Sequence, residues 1–167
     1  MTNSEQQVID ALEKIGLSYE RITIDPAHAD TGVFCDKYGY PPETSGNTII
    51  VASKKEPKKF VACVVLATTQ LDVNKRVRKL MGVSKASFAS AEQMNALTGM
   101  EVGGVTPFSL PSDLPLYVDE RVMQLEAVIL GGGGRGLKIG ISPEVFAKLG
   151  AEVVTDLAIV RNPAEKS

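Results

Sequence analysis

The spacing of apolar residues along the chain predicts a first helix near the N-terminus. Val8, Leu12 and Ile15 recur at the spacing of one helix face. Ser4 precedes them as a suitable N-cap, and Gly16 follows where a left-handed C-cap is favoured. We therefore expect a helix that Ser4 caps and Gly16 ends.

The rest of the chain alternates between short helical and short strand patterns. Apolar faces between a capping residue and a glycine or proline predict helices at 30–38, 72–82, 90–99 and 142–150, and Ser90 with Gln93 predicts a capping box at the start of the third. Alternating or continuous apolar runs predict strands at 17–24, 47–52, 60–67, 114–118, 125–130 and 137–141, and one more within 151–160. Two strand pairs read as hairpins, and no regular βαβα order is present. The pattern predicts an α+β fold with a mixed, mostly antiparallel sheet flanked by short helices.

Composition adds the expected size and surroundings of the protein. A chain of 167 residues with 44% hydrophobic and 23% charged residues fits one folded domain, 1–167, with a core at about 5–160 and a short C-terminal tail. The net charge of −2 disfavours a general DNA-coating protein, so any nucleic-acid contact must be local. No leader and no apolar run long enough for a membrane is found, so we expect a cytoplasmic protein.

The residues that commonly hold metals or act as nucleophiles are few. Cys35 and Cys63 show no CxxC spacing, and His28 is the single histidine, so they cannot form a Cys/His metal quartet. A histidine at the surface and two thiols in the core are the simplest interpretation. We expect no metal and no cofactor.

Two glycine-rich segments are candidates for binding. In GGGGRG, Gly131, Gly133 and Gly136 have GxGxxG spacing, but the following residues alternate as a strand and not as a helix. A hairpin turn is therefore preferred to a nucleotide site. Because glycines have no side chains, a ligand could still approach this backbone closely. In VGGVTPF, Gly103 and Gly104 form either a structural turn or a loop whose amides hold a carbonyl or phosphate oxygen.

Five segments of the chain, in this order, match the pattern of a known family: GNTIIVASK, ACVVLATTQLDVNKRVRKLMG, LTGMEVGGVTPF, LPLYVDE and GGGGRGLKIGISP. On these segments, and over about residues 5 to 160, the chain resembles the YbaK/prolyl-tRNA-synthetase-associated family of aminoacyl-tRNA editing domains. The stretch Gly103 to Pro107 is similar to the family's GxxxP loop. The resemblance implies a barrel-like mixed sheet and a free-standing, metal-independent hydrolase that cleaves the ester of mischarged tRNA.

The resemblance also implies which residues surround the substrate. Loop amides would polarise the ester carbonyl, and the tRNA's own terminal hydroxyl would help to activate water. The candidate residues around the ester are Asn47, Gly103, Gly104, Thr106 and Pro107. Those for the rest of the substrate are Phe34, Thr48, Met100, Asp119, Gly131, Gly132 and Arg135. Those for the tRNA backbone are Lys54, Lys55, Lys58 and Lys59, which could equally be a solvated hairpin tip.

One position departs from the family pattern. Family members usually carry a lysine where this chain has Asn47, so a full charge is replaced by a neutral donor and acceptor. The departure leaves open a non-catalytic module of the same fold that binds tRNA or a synthetase. A third reading is a small-molecule hydrolase that uses the same pocket. We expect a mischarged tRNA with a small side chain as substrate, and we expect alanine at Gly103 or Gly104 to lower turnover more than folding.

Overall fold

The computed structural model describes residues 1–160, and five α-helices occur in that part of the chain. They are α1 (Asn3–Ile15), α2 (Thr31–Tyr38), α3 (Arg78–Met81), α4 (Ala91–Thr98) and α5 (Val145–Lys148). The predicted capping box of α4 is confirmed, because Ser90 and Gln93 exchange side-chain and backbone hydrogen bonds. Both α2 and α4 end at a glycine in the left-handed conformation, as their sequences predict.

The strands form three sheets. In chain order they are β1 (Tyr19–Thr23), β2 (Gly46–Ser53), β3 (Phe60–Leu66), β4 (Thr69–Leu71), β5 (Ala86–Phe88), β6 (Leu116–Asp119), β7 (Val128–Gly131), β8 (Leu137–Ile141), β9 (Glu152–Val154) and β10 (Ala158–Val160). The largest sheet has the order β5-β2-β3-β6-β9, a second has the order β1-β8-β7, and β10 pairs with β4. Only the β3-β6 and β6-β9 pairs within residues 1–160 are parallel.

This topology confirms the predicted α+β class and the mostly antiparallel pairing. Both predicted hairpins are present, β2 with β3 and β7 with β8. The barrel-like expectation is wrong in one respect. Across residues 1–160 the strands remain in separate sheets with open edges and do not close on themselves.

The five-stranded sheet is covered on both faces, which explains why its central strands read as continuous apolar runs. On one face, Val51 and Cys63 pack with Val77 of the turn before α3. On the other face, Ile50 packs with Met94 of α4. Farther along that face is the largest cluster, where β3 meets α1 and the β7-β8 hairpin. The candidate site lies on the α4 side, where β2 comes close to β7 and the loop after α4.

The first helix begins earlier than its sequence suggests. Thr2, and not Ser4, is the N-cap, because the Thr2 side chain accepts a hydrogen bond from the Glu5 amide and the Glu5 carboxylate accepts one from the Thr2 amide. The Ser4 hydroxyl donates instead to the carbonyl oxygen of Gly133, 2.8 Å away. The competing partner is 129 positions along the chain, so local pattern could not reveal it.

Other boundaries also differ from the predictions. The single strand expected within 151–160 is wrong, because a turn with Asp156 at φ 55° separates β9 from β10. The helix expected at 72–82 opens with a π-helical turn, Val73–Val77, before α3. The three-residue strands β4 and β5 were not predicted, since so short a run carries little periodicity. The predicted C-terminal tail, 161–167, lies outside the described residues.

Candidate active site

A cleft of about 330 Å³ lies where β2, α2, α4 and the loop after α4 converge. It is lined by Thr31, Gly46, Asn47, Thr48, Ile49, Ile50, Phe88, Ala89, Ala91, Met94, Val102, Gly103, Val105, Gly131 and Lys138. The cleft thus brings together the β2 residue Asn47, the glycine loop and the end of β7. These segments are distant in sequence. The two glycine segments were candidates on their own pattern, whereas Asn47 was a candidate through the family resemblance.

Asn47 is the second residue of β2 and lines the cleft, and its side-chain oxygen already accepts a hydrogen bond. The Thr31 hydroxyl, at the start of α2, donates to Oδ1 of Asn47 over 2.7 Å. Because Oδ1 is held in this way, the Nδ2 group is the part of the amide left to donate to a ligand. Asn47 therefore presents a neutral hydrogen-bond donor to the cleft.

The glycine loop contributes Gly103 and Val105 to the cleft wall. Gly103 has φ 90°, a conformation that side chains with a Cβ rarely adopt. The amide of Gly104 donates to the carbonyl of Glu101, whereas within residues 1–160 the amides of Gly103 and Val105 donate to no acceptor. Two backbone donors at the cleft wall are thus left for a ligand oxygen.

Gly104 has a different role from its neighbour. A Cβ built on Gly104 would lie 2.6 Å from backbone atoms of Gly134. The carbonyl of Gly104 also accepts a hydrogen bond from the amide of Gly133 over 2.7 Å. Gly104 is therefore a backbone-to-backbone packing position, and the expectation that alanine there spares folding does not fit this geometry.

The same close packing explains the glycine-rich segment after β7. A Cβ on Gly131 would lie 2.5 Å from the Val105 carbonyl oxygen, and one on Gly133 would lie 2.8 Å from the Ser4 carbonyl oxygen. On the α1 side, the Glu5 carboxylate accepts a hydrogen bond from the Gly136 amide over 3.0 Å. The segment leads into strand β8, so it forms the predicted hairpin turn and not a dinucleotide-binding loop.

Lys138, on β8, is a site residue that sequence reasoning missed. Its side chain is only 6% exposed and borders the cleft. The Nζ group donates to the carbonyl oxygens of Ala29 (2.7 Å) and Gly103 (3.4 Å), and it lies 5.4 Å from the ring centroid of Phe34. Burial lowers the pKa of Lys138 from its ordinary value. The single signal in the sequence was a lysine within an otherwise apolar strand.

Two threonine hydroxyls near the loop are buried without a partner in residues 1–160. They belong to Thr48, which borders the cleft, and to Thr106, which is fully buried. A buried hydroxyl without a partner is costly, so the Thr48 hydroxyl is a natural contact for a ligand. Pro107 is also buried, behind the loop, and does not line the cleft.

Four predicted substrate residues serve elsewhere in the fold. Phe34 lies beneath Lys138 and not in the cleft wall, and Met100 is part of the largest core cluster. Asp119 accepts hydrogen bonds from Arg121 and from the Ala158 amide, so its carboxylate links β6 to β10. Gly132 packs against Leu137.

Arg135 supports the glycine loop from outside the cleft. Its guanidinium donates to the carbonyls of Val102 (2.7 Å) and Pro26 (3.1 Å), and it forms an ion pair with Asp30 at 3.6 Å. These contacts tie the loop to the segment before α2. Arg135 therefore holds the cleft wall in place and does not border the cleft itself.

The candidate lysines for the tRNA backbone lie at the exposed tip of the β2-β3 hairpin. They are Lys54, Lys55, Lys58 and Lys59. The Nζ group of Lys58 folds back onto the carbonyls of Ser53 and Lys54. Lys54 lines a shallow groove together with Phe88, and Phe88 also borders the cleft. The exposed ring of Phe88 thus connects the hairpin tip to the cleft.

The two cysteines and the histidine do not line the cleft. Burial raises the pKa of the Cys63 thiol to about 12, and Cys35 is also buried. The His28 ring nitrogen lies 3.4 Å from the Tyr38 hydroxyl. Residues 1–160 contain no group of three or more His, Cys, Asp or Glu side chains placed to hold a metal ion. None of the helices within that range is long and apolar enough to cross a bilayer.

A family model described as the aminoacyl-tRNA editing domain matches residues 25–149, which include both glycine segments and Asn47. The chain belongs to this family. It is 30% identical over 101 residues to an Enterococcus faecalis protein named "Putative Cys-tRNA(Pro)/Cys-tRNA(Cys) deacylase EbsC", and 29% identical over 106 residues to the uncharacterized protein YwhH of Bacillus subtilis. Each match covers 60% of this chain, but 59% of the first relative and 66% of the second.

Solved structures share the fold over nearly the whole chain. A crystal structure described as "a putative trans-editing enzyme for prolyl tRNA synthetase" has a TM-score of 0.80 at 22% identity, and the match covers 97% of this chain and 99% of that one. The crystal structure of the hypothetical protein APE2540 has a TM-score of 0.81 at 25% identity, covering 91% and 99%. These likenesses show that the chain shares its fold with those two proteins.

Proposed function

We propose that this editing domain is a free-standing deacylase that hydrolyses the ester of mischarged tRNA. One observation carries the proposal. Asn47 and the two unengaged amides of the loop, at Gly103 and Val105, border one cleft that can hold an aminoacyl ester. Hydrogen-bond donors that border one cleft can stabilise a carbonyl oxygen when it gains negative charge.

The reaction needs only water as a second reactant. The water oxygen adds to the ester carbonyl carbon, and the bond between that carbon and the ribose oxygen then breaks. The ribose oxygen takes up a proton and the water loses one, so the products are a free amino acid and a tRNA with a free hydroxyl. The loop donors would stabilise the carbonyl oxygen during addition, and the tRNA's neighbouring hydroxyl would orient the water.

The rim of the cleft suits a single-stranded nucleic-acid end. Phe88 is 58% exposed and Val102 is 55% exposed at this rim. Unpaired bases stack on exposed aromatic rings, and nearby lysines attract the backbone phosphates. We expect the terminal base of the tRNA to contact Phe88, with Lys54 in the adjoining groove close to a phosphate.

The relatives suggest which substrates to test first. The Enterococcus relative is named for Cys-tRNA(Pro) and Cys-tRNA(Cys), and the structural neighbour for prolyl-tRNA synthetase. A tRNA(Pro) that carries a small, wrong amino acid is therefore the leading candidate. A prolyl-tRNA synthetase would be a suitable partner. The protein would meet this synthetase and the charged tRNA in the cytoplasm.

The test is the release of labelled amino acid by the purified full chain. The panel should contain tRNA(Pro) charged with cysteine, alanine, serine or proline, and other tRNAs charged correctly, each with chelator present. We expect release from at least one mischarged tRNA and little from Pro-tRNA(Pro). Binding without release would favour the non-catalytic module. Hydrolysis of small esters without tRNA would favour the small-molecule hydrolase.

A further inference from the structure

Lys138 is a buried cation whose hydrogen bonds are incompletely used. A lysine ammonium has three N–H donors, and here two point to the carbonyl oxygens of Ala29 and Gly103. No third acceptor is present in residues 1–160. Lys138 is nevertheless only 6% exposed, and it borders the cleft. One donor of a buried ammonium is therefore left for a ligand in that cleft.

The surroundings of the amine act on its charged form in opposite directions. Both carbonyl oxygens accept from an ammonium, and the face of the Phe34 ring attracts a cation. Burial has the largest effect and lowers the pKa of Lys138; among the titratable groups around it, Cys35 and Asp30 raise the pKa and Arg135 lowers it. The pKa of Lys138 is lowered overall, so its amine loses its charge at a lower pH than an ordinary lysine does.

We propose that Lys138 donates its third N–H to the carbonyl oxygen of the aminoacyl ester and stabilises the negative charge that forms there when water adds. The proposal rests on the function proposed above and names the residue that supplies its charge. The site would then contain two kinds of hydrogen-bond donor: the neutral amide of Asn47 on β2 and the cation of Lys138 on β8. No proton leaves Lys138 in this step.

The position of the amine argues for the ester and against a phosphate. Lys138 is buried where β8 passes under the loop, next to Gly103, whose amide is an unengaged donor. A phosphate keeps much of its hydration and suits the exposed lysines at the hairpin tip. The carbonyl oxygen of a bound ester is small and is the group that a buried cation can approach.

The test compares Lys138→Gln and Lys138→Met with the wild-type chain. Glutamine keeps a neutral donor for the two carbonyls, whereas methionine keeps only the size of the side chain. We expect both variants to lose roughly 10²–10³-fold in kcat, the usual loss for one donor to a developing oxyanion. Affinity for a tRNA that carries the amino acid through an unreactive amide should change little. Thermal melts measured alongside separate this loss from unfolding.

The pH profile provides a second readout that a purely structural lysine would not change. The rate relative to uncatalysed hydrolysis should fall as pH rises through the pKa of Lys138, and Lys138→Gln should lack this fall. Wild-type kcat in the Gln variant, or a loss confined to binding and its salt dependence, would overturn the role of Lys138 alone. An inactive wild-type chain across the whole panel would overturn this role together with the proposed function.

Discussion

The two glycine segments of this protein look alike in sequence but meet different surroundings. In the segment from Gly131 to Gly136, the missing side chains make room for the backbone of the loop on one side and for backbone and side chains of α1, including Glu5, on the other. At Gly103, the nearest group is the end of the flexible Arg135 side chain, and the cleft lies beside it. Glycine is required in the first case for packing and in the second for a positive φ at the cleft wall.

The boundary between the two cases falls between adjacent residues. Gly104 packs on the backbone of Gly134, whereas Gly103 borders the cleft. Neighbouring glycines in one motif can therefore have separate roles. The contacts of the Cβ that each glycine lacks distinguish these roles, and the following experiments test the distinction.

The largest effect is expected from Gly104→Ala. The new methyl group would lie 2.6 Å from three backbone atoms of Gly134, which cannot move aside without shifting β7 and β8. We expect a loss of about 3 kcal/mol or more in the free energy of unfolding, at the upper end for overpacking. Urea unfolding measures it. Gly32→Ala in α2 is the matched control, because nothing lies within 4 Å of its Cβ, and it should be neutral or stabilising.

A different result is expected for Gly103→Ala. The methyl group meets side chains and no backbone: Nη1 and Cζ of Arg135 at 2.5 and 3.3 Å, and Cβ of Ala29 at 3.4 Å. Stability should therefore fall by about 1–2 kcal/mol, mostly from the positive φ. Deacylation should fall by about 10²-fold, because the change would displace the unengaged amides of the loop at the cleft wall. Gly99→Ala has the same kind of strain with no close neighbour, and it should leave kcat nearly unchanged. Equal losses of activity in Gly103→Ala and Gly99→Ala would show that Gly103 has no special role at the cleft.

Removing the Asn47 amide should have a smaller effect. A hydrogen bond between uncharged groups contributes about 0.5–1.5 kcal/mol, so Asn47→Ala should reduce kcat/KM roughly two- to tenfold. Thr31→Val should cost less, because it removes only the hydroxyl that holds Oδ1 of Asn47. Single-turnover deacylation of both variants checks the order. A larger loss for Thr31→Val would show that Asn47 is not the donor.

The smallest effect concerns charge at the same position. Asn47→Lys adds a cation to the rim and removes the acceptor for Thr31. If that cation meets a phosphate, the log–log slope of tRNA affinity against salt should steepen by about 0.7–0.9. Affinity measured across a salt series tests this. An unchanged slope would place Asn47 away from the phosphates, leaving it as a donor to the ester alone.

Much of the fold was predictable because its signals are local. The capping box at Ser90 and Gln93, the glycine that ends α2 and the β2-β3 hairpin all depend on residues close in sequence. The break between β9 and β10 was missed because it depends on Asp156 adopting a positive φ, which aspartate tolerates but does not require.

The site was less predictable because its chemistry depends on distant segments. Asn47 and Gly103 were found by resemblance, and the fold brings them to one cleft. Lys138 was missed because the groups that bury and hold it, Ala29 and Phe34, are more than 100 positions away. In β8 the apolar side chains of Leu137, Ile139 and Ile141 point to one face and Lys138 to the other. From the strand alone, such a lysine is expected to be exposed to solvent.

The bond between Glu5 and the Gly136 amide has a consequence for synthesis of the protein. Its partners are 131 positions apart, and the glycine loop packs on the same segment. Contacts of such long range form late, since most of the chain must be available before they can close. On the ribosome, helix α1 and the β2-β3 hairpin can emerge and fold locally, but the cleft stays unassembled until Lys138 has left the exit tunnel. A nascent chain would therefore have no site for the aminoacyl end of tRNA while it is itself being made from charged tRNAs.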